Sequence, residues 1–219
     1  MDLDLAATYQ RRFAGEEAFR DSMWKLLCDR FFQRHVAADA TVLEVGAGHC
    51  EFINNIDARR KIAVDLSSDT PKFAAPDVEV LTAPSMAMES VEAGSVDVAF
   101  ASNFFEHLTR ADILETLKEI RRVLRKGGRL LILQPNIRYC YRDYWMFFDH
   151  ITPLDDRSVV EAAEAAGFVV VRVVRRFLPF TTKGRLPNSL MLLRVYLSFP
   201  LLWRFFGQQS FIVVEVPNR

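Results

Sequence analysis

Cysteine is scarce in this 219-residue chain: there are three, at Cys28, Cys50 and Cys140, far apart and with no CxxC pair. Neither a disulfide framework nor a cysteine-built zinc site is expected, and a reducing compartment is the simpler setting. Net charge is absent as well, with 28 lysines and arginines against 28 aspartates and glutamates. That balance gives no global pull toward nucleic acid. No apolar run approaches the length that crosses a bilayer. The opening residues, "MDLDLAATYQRR", are acidic before they are basic and hold no apolar stretch, so a secretory signal is not expected. Repeats, low-complexity linkers and any clustered His/Asp/Glu ligand set are also missing, so no metal is expected. The length suits one sizeable domain in the cytoplasm.

What is present alternates. Glu17, Asp21, Lys25, Asp29 and Gln33 make a polar stripe at four-residue spacing, with Phe19, Met23, Leu26, Leu27 and Phe31 off it, which predicts an N-terminal helix. Short apolar runs follow: "TVLEV" (41–45), "KIAVDL" (61–66), "DVEVL" (77–81), "VDVAFA" (96–101) and "GRLLILQ" (128–134). Such runs suit parallel strands buried on both faces. Between the last two, "TRAD" (109–112) fits a capping box, Ile113, Leu117, Ile120 and Leu124 form one face, and "KGG" (126–128) is expected to end the helix. A helix over 153–168, a strand "FVVVRVV" and a final strand "SFIVVEV" complete an open α/β sheet with right-handed crossovers.

The stretch "VLEVGAGHCEF" turns a strand into a glycine-rich loop. Ligands of open α/β sheets sit at such turns, at the carboxyl ends of the strands. A dinucleotide fingerprint would place a third glycine at 51, where Glu51 stands instead. A carboxylate there would compete with a phosphate for the N–H groups of the helix end. Glu44 adds negative charge within the preceding strand, so the turn suits a cation. Asp65 ends the second strand and supplies an acid for ribose hydroxyls, a feature shared with dinucleotide folds. S-adenosylmethionine, with a sulfonium, an ammonium, a ribose and no phosphate, fits this description.

Four blocks in register, "VLEVGAG", "IAVDLS", "SVDVAFASNFFEHL" and "LRKGGRLLILQPN", give the chain its resemblance to class I S-adenosylmethionine-dependent methyltransferases of the small-molecule type. The resemblance spans roughly residues 38–167 and implies a Rossmann-like fold: a seven-stranded, mostly parallel sheet with helices on both faces. An N-terminal helical cap (1–38), a cofactor-binding core (39–176), a helical insertion (177–210) and a last strand (211–217) then make one domain. It also implies that Glu44, Gly46, Ala47 and Gly48 line the methionine end of the cofactor, that Asp65 and Leu66 meet the ribose, and that Ser85 and Met86 flank the adenine. Asn103 and Phe104 would close the pocket. Many relatives carry an acid after the third strand for the adenine amino group, and Ser85 stands there as a weaker acceptor, unless a backbone group serves.

A hydroxyl acceptor must lose its proton as it attacks, and histidine is the usual base. His150, after the fifth strand and beside Asp149, is the first candidate, and His107 the second; either also fits a structural place. Cys50 reads as a small filler rather than a nucleophile. Tyr139, Tyr141, Tyr144, Trp145, Phe147 and Phe148 are dense enough to wall an acceptor pocket or to pack as a lid. From Phe168 to Ser210 the chain has seven basic residues (Arg172, Arg175, Arg176, Lys183, Arg185, Arg194, Arg204) and no acidic one. Its apolar, basic helical part, broken at Pro200, suits a membrane surface or a lipid-bearing substrate, or else a helical hairpin packed on the domain or on a homodimer partner. The "RFLPFTTK…LP" stretch resembles methyltransferases of bacterial surface-polysaccharide pathways, which implies a sugar or lipid-linked glycan acceptor. A quinone-like or other aromatic acceptor and a non-catalytic cofactor-binding module are the alternatives. A nicotinamide dehydrogenase is disfavoured by Glu51, and nucleic-acid methylation by the lack of an "NPPY"-like signature.

Overall fold

The computed structural model describes residues 15, 17–180 and 189–218. Seven strands, β1 (Thr41–Val45), β2 (Arg60–Asp65), β3 (Val78–Thr82), β4 (Val96–Ser102), β5 (Leu124–Pro135), β6 (Val169–Val174) and β7 (Gln209–Glu215), form a single sheet. Their order is β3–β2–β1–β4–β5–β7–β6. β7 runs antiparallel to both its neighbours, and the pairs among β1 to β5 are parallel. The expected Rossmann-like, mostly parallel seven-stranded sheet is therefore present. The chain order reverses between β1 and β4, the place where such sheets open a ligand crevice.

Strand side chains alternate between two cores, as a period of two requires. Val42, Phe100, Leu131 and Phe211 point into one, with Trp24, Phe31, Phe32, Phe52 and Phe177. Leu43, Ala99, Ile132 and Ile212 point into the other, with Ile113, Leu117 and Ile120 of helix α3 (Arg110–Val123). Helix α1 (Glu17–Arg30) covers the aromatic core, leaving Asp21, Lys25 and Asp29 of the expected polar stripe in solvent. Phe52, on the short helix α2 (Glu51–Asn55), stacks on Phe100 at 3.8 Å between centroids. That contact ties the helix after the glycine turn to the centre of the sheet. Truncating such a fully buried ring costs about 3–5 kcal/mol.

Three sequence expectations need amendment. The helix ends at Val123, and "KGG" lies inside β5, whose first residue Leu124 already pairs with Val96. A register shift between Val96 and Val98 absorbs the extra residues, and Gly127 at φ +70° donates its N–H to Val216 O. β3 and β6 are edge strands; β3, expected to be buried on both faces, has no fully buried side chain over Val78–Thr82, and Val169, Val170, Val171 and Val173 of β6 are exposed as well. A one-turn helix α4 (Ile137–Cys140) follows β5, and the helix expected over 153–168 is shorter, α5 (Asp156–Ala165). Asp155 caps it in a full capping box with Ser158, while the Asp112 carboxylate of "TRAD" accepts from the Thr109 hydroxyl.

Between β6 and β7 the chain leaves the ligand end of the sheet. It forms helices α6 (Leu190–Ser198) and α7 (Pro200–Phe206), broken at Phe199–Pro200 as expected. α6 packs on α1. Lys183, Arg185 and the rest of 181–188, like residues 1–14 of the expected cap, lie outside the described residues.

Candidate cofactor and acceptor site

β1 ends at Val45, and the next five residues reverse the chain through three left-handed positions: Gly46 (φ +69°), Gly48 (φ +50°) and Cys50 (φ +58°). The Gly46 and Ala47 N–H groups both bond to Val64 O, which holds the turn against β2. Asp65 then clamps it: Oδ2 accepts from Gly48 N and Oδ1 from Ser67 N, each at 2.8 Å. Phe104 lies directly over Gly46, where a Cβ would stand 2.8 Å from its Cγ and 2.9 Å from its Cε2. Glycine is required there twice, for its φ and for the ring above it. Phe104 reaches this place because Asn103, also left-handed at φ +47°, turns the chain sharply after β4. The Asn103 N–H bonds to Leu133 O, and its amide donates to Ser102 Oγ.

The turn is rich in acid. Glu44 is buried and accepts from Ile53 N at 3.0 Å. Burial pushes its carboxyl well above the usual range, the Ile53 bond opposes this, and the charges of Glu51 and Asp65 add to the rise. A cation before this carboxyl would restore its ionised form. Glu51 is not bare, as the sequence implied: Arg20 of α1 grips it bidentately, Nε to Oε1 and a terminal nitrogen to Oε2, both at 2.6 Å. A guanidinium–carboxylate pair thus fills the place that a pyrophosphate takes at a dinucleotide turn. Spacing could not reveal this partner, which lies 31 residues upstream.

Toward the expected adenine end, Leu66 (70% exposed) and Met86 (39% exposed) sit beyond the neighbouring strands β2 and β3. Ser85 is buried, and its hydroxyl shares a 2.7 Å hydrogen bond with Thr116 of α3. That leaves backbone groups as the nearer means of meeting an adenine amino group. Cys50 is fully buried, and burial pushes its thiol up to about 12, in keeping with a filler.

On the expected acceptor side two loops converge. The short turn Phe105–His107 follows β4, and Asp149–Thr152 follows β5. Glu106 O accepts from both Ile151 N and Thr152 N, locking the loops together. Within this lock Glu106 is buried, and its Oε2 accepts from Gln134 Nε2 at 2.9 Å. Burial raises its carboxyl above the ordinary range. The Nε2 atoms of His107 and His150 each lie 3.9 Å from Glu106 Oε1. Asp149, expected beside His150, stands against His107: its carbonyl is 3.0 Å and its carboxylate 3.4 Å from Nδ1. His150 is buried among Tyr144, Phe147 and Phe180, and His107 remains partly open. The sequence shows no clustered ligand set, yet the fold makes one from Glu106, His107 and His150. The aromatic stretch divides: Tyr144 packs into a small core with Cys140 and Phe180, while Tyr141, Trp145 and Phe148 are exposed.

A two-glycine turn at the switch point of such a sheet, with an acid at the end of β2, defines a nucleoside-binding α/β protein with a cation-seeking pocket. A methyltransferase domain profile matches residues 16–173, well over half of the chain, and the chain belongs to that family. The expected methyltransferase activity and S-adenosylmethionine cofactor are the family's. No curated protein sequence matches significantly. Among solved structures, a SAM-dependent methyltransferase of Archaeoglobus fulgidus is 20% identical, with a TM-score of 0.68 over 93% of this chain and 99% of that one. A complex of the Haloferax volcanii Trm112 methyltransferase activator with a methyltransferase aligns at 17% identity and TM-score 0.73, over 99% of both chains. Geranyl diphosphate C-methyltransferase of Streptomyces coelicolor, solved with Mg2+, geranyl diphosphate and S-adenosyl-L-homocysteine, aligns at 16% and 0.61 over 98% and 87%. At these identities the likeness speaks to the fold.

Proposed function

We propose that the protein transfers the methyl group of S-adenosylmethionine to a hydroxyl of a sugar, most specifically of a lipid-linked glycan, at a membrane surface. The observation that carries the acceptor half is the helical pair α6–α7. It leaves the sheet at the ligand end and exposes Met191, Leu192, Val195, Phe199, Leu201 and Phe205 beside Arg194 and Arg204. An apolar face with only positive charges among it suits lipid tails and anionic headgroups or diphosphates. Phe180, at the start of the same insertion, touches His150 and Phe147, so the insertion begins at the histidine cluster. The Streptomyces neighbour, a C-methyltransferase, was solved with an apolar chain ending in a diphosphate, a ligand with the same apolar and anionic parts as a lipid-linked glycan. No helix among the described residues is long and apolar enough to cross a membrane, so the contact proposed is peripheral.

When bound, the cofactor supplies a methyl group on a sulfonium, which leaves as a neutral thioether after in-line attack. The protein's part is placement. Gly46 and Phe104 set the methionine end, Glu44 meets its positive charge, and Asp65 the ribose. His107 and His150 prepare the acceptor hydroxyl by drawing off its proton. A second reading, an aromatic acceptor such as a quinol, is favoured by the exposed rings of Tyr141, Trp145 and Phe148.

The first test compares thermal shifts with S-adenosylhomocysteine and NADH in wild type and Asp65→Ala. At 100 times its dissociation constant a ligand adds about 2.7 kcal/mol, a rise of roughly 5–10 °C for a chain of this size. A rise with the homocysteine compound alone, lost in Asp65→Ala, is expected; a rise with NADH alone refutes the cofactor assignment. Radiolabelled methyl transfer to lipid-linked oligosaccharide, free sugar and quinol then ranks acceptors, and label confined to the quinol overturns the glycan reading. Sedimentation with phosphatidylglycerol vesicles should capture the wild type and lose Phe199→Asp/Phe205→Asp.

A further inference from the structure

We propose that Glu106 Oε1, His107 Nε2 and His150 Nε2 form a binding site for a divalent transition-metal ion of the zinc class. The inference goes beyond the methyl-transfer reading and holds whatever the acceptor is. It begins with protons. His107 Nδ1 lies 3.0 Å from the Asp149 carbonyl oxygen, which can only accept, so Nδ1 carries the hydrogen. The neutral ring then presents a lone pair at Nε2, and Nε2 faces Glu106 Oε1. The other oxygen of Glu106 is occupied by the Gln134 amide, which leaves Oε1 as the one turned inward. Partners of this kind orient ligands in known metal sites: a carbonyl or carboxylate on the far nitrogen of a histidine, and a hydrogen bond on the far oxygen of a carboxylate.

The distances point the same way. Both Oε1–Nε2 separations are 3.9 Å, too long for a hydrogen bond, so no shared proton explains why the three atoms face one another. All three lie within 4.8 Å of one another. An ion with bonds of about 2.0–2.2 Å would set tetrahedral ligands roughly 3.3–3.6 Å apart, so each Nε2 would close on Oε1 by about half an ångström and on the other Nε2 by up to about 1.5 Å. The loops that carry the ligands are already pinned by the two hydrogen bonds to Glu106 O and by Tyr144, whose hydroxyl donates to Thr152 O at 2.7 Å. Two imidazoles and one carboxylate select zinc or ferrous iron over magnesium or calcium, which prefer oxygen cages. Three protein ligands leave a position open, as in catalytic zinc sites. In the metal-loaded protein a hydroxyl bound there would be made acidic enough to give its proton to water, and the two histidines would act through the ion in place of the direct proton removal proposed above.

The test uses tag-free full-length protein, stripped with a chelator and titrated with zinc(II) and with cobalt(II). One equivalent of zinc should bind and raise the melting temperature, and cobalt should give the visible absorption of a four- or five-coordinate site. His107→Ala, at a partly open position, should weaken zinc binding by at least about 100-fold while keeping the fold. Asp149→Asn removes only part of the support for the ring and should weaken it about tenfold. The proposal is overturned if stripped protein that still melts cooperatively takes up neither metal. It is equally overturned if His107→Ala binds zinc as tightly as wild type. Stabilisation by S-adenosylhomocysteine is measured on the same stripped sample. Its loss would count against the cofactor assignment and its retention would leave that assignment standing, independently of the metal result.

Discussion

Replacing Gly46 by alanine attacks the cofactor turn at its most crowded point. The residue sits at φ +69°, where an alanine pays about 1–2 kcal/mol. The new methyl carbon would also stand within 3 Å of three atoms of the Phe104 ring, so the ring must leave its seat and forfeit about 1 kcal/mol of half-buried contact. Together these predict a loss of about 2–3 kcal/mol, or roughly 4–12 °C in Tm. Phe104→Ala alone should cost about 1 kcal/mol. In the double variant the clash is gone and only the backbone strain and the missing ring remain. Its loss should therefore fall short of the sum of the two single losses by about 1 kcal/mol, a coupling that urea unfolding resolves. The displaced ring in Gly46→Ala should also weaken the S-adenosylhomocysteine shift. Additivity within about 0.3 kcal/mol would refute the placing of Phe104 over Gly46, and with it this account of how the pocket is closed.

Asp155→Ala removes the cap of α5, which accepts from Arg157 N and Ser158 N, and should cost about 1 kcal/mol, or 2–4 °C in Tm by calorimetry. His35 predicts an acid limb. Burial, then the charges of Arg172, Arg34 and Arg129, hold its imidazole down to about 4. Because the folded value lies below the unfolded one, the unfolded chain takes the proton first. The stability due to a neutral His35 is complete above about pH 6.5 and is lost as pH falls toward 4. Urea unfolding at pH 7.5, 6 and 5 should show wild type losing more stability than His35→Gln over that range; parallel curves would refute the assignment.

Elements whose cause is local were legible in the sequence. β1 falls on "TVLEV" because five consecutive side chains are buried on both faces of a central strand. The break at Phe199–Pro200 follows from proline's chemistry. "KGG" misled because two glycines suit a bulged strand entry as well as a helix end, and the pairing of Leu124 with Val96 decides between them. Long-range partners left no periodic trace. Arg20 reaches Glu51 across the packing of α1 on α2, and Glu106 meets His150 from 44 positions away in sequence. The two histidines were visible as residue types. That they and a buried carboxylate share one centre depends on two loops brought together by the sheet.

The insertion between β6 and β7 has a consequence for how such an enzyme can diverge. Those strands are antiparallel neighbours, which a turn of a few residues would join. Lengthening that joint costs little, since each doubling of a flexible loop adds only about 0.6 kcal/mol. The segment can therefore be exchanged, enlarged or recharged while β1, β2 and the glycine turn stay as they are. On the reading proposed here, donor recognition lies in the first half of the chain, between Glu44 and Phe104. On the same reading, much of the choice of acceptor would rest with the loop after β5 and the helices of the insertion. A lineage could then retune its acceptor largely by editing that insertion, with Glu106 and His107, which precede β5, staying beside the donor site.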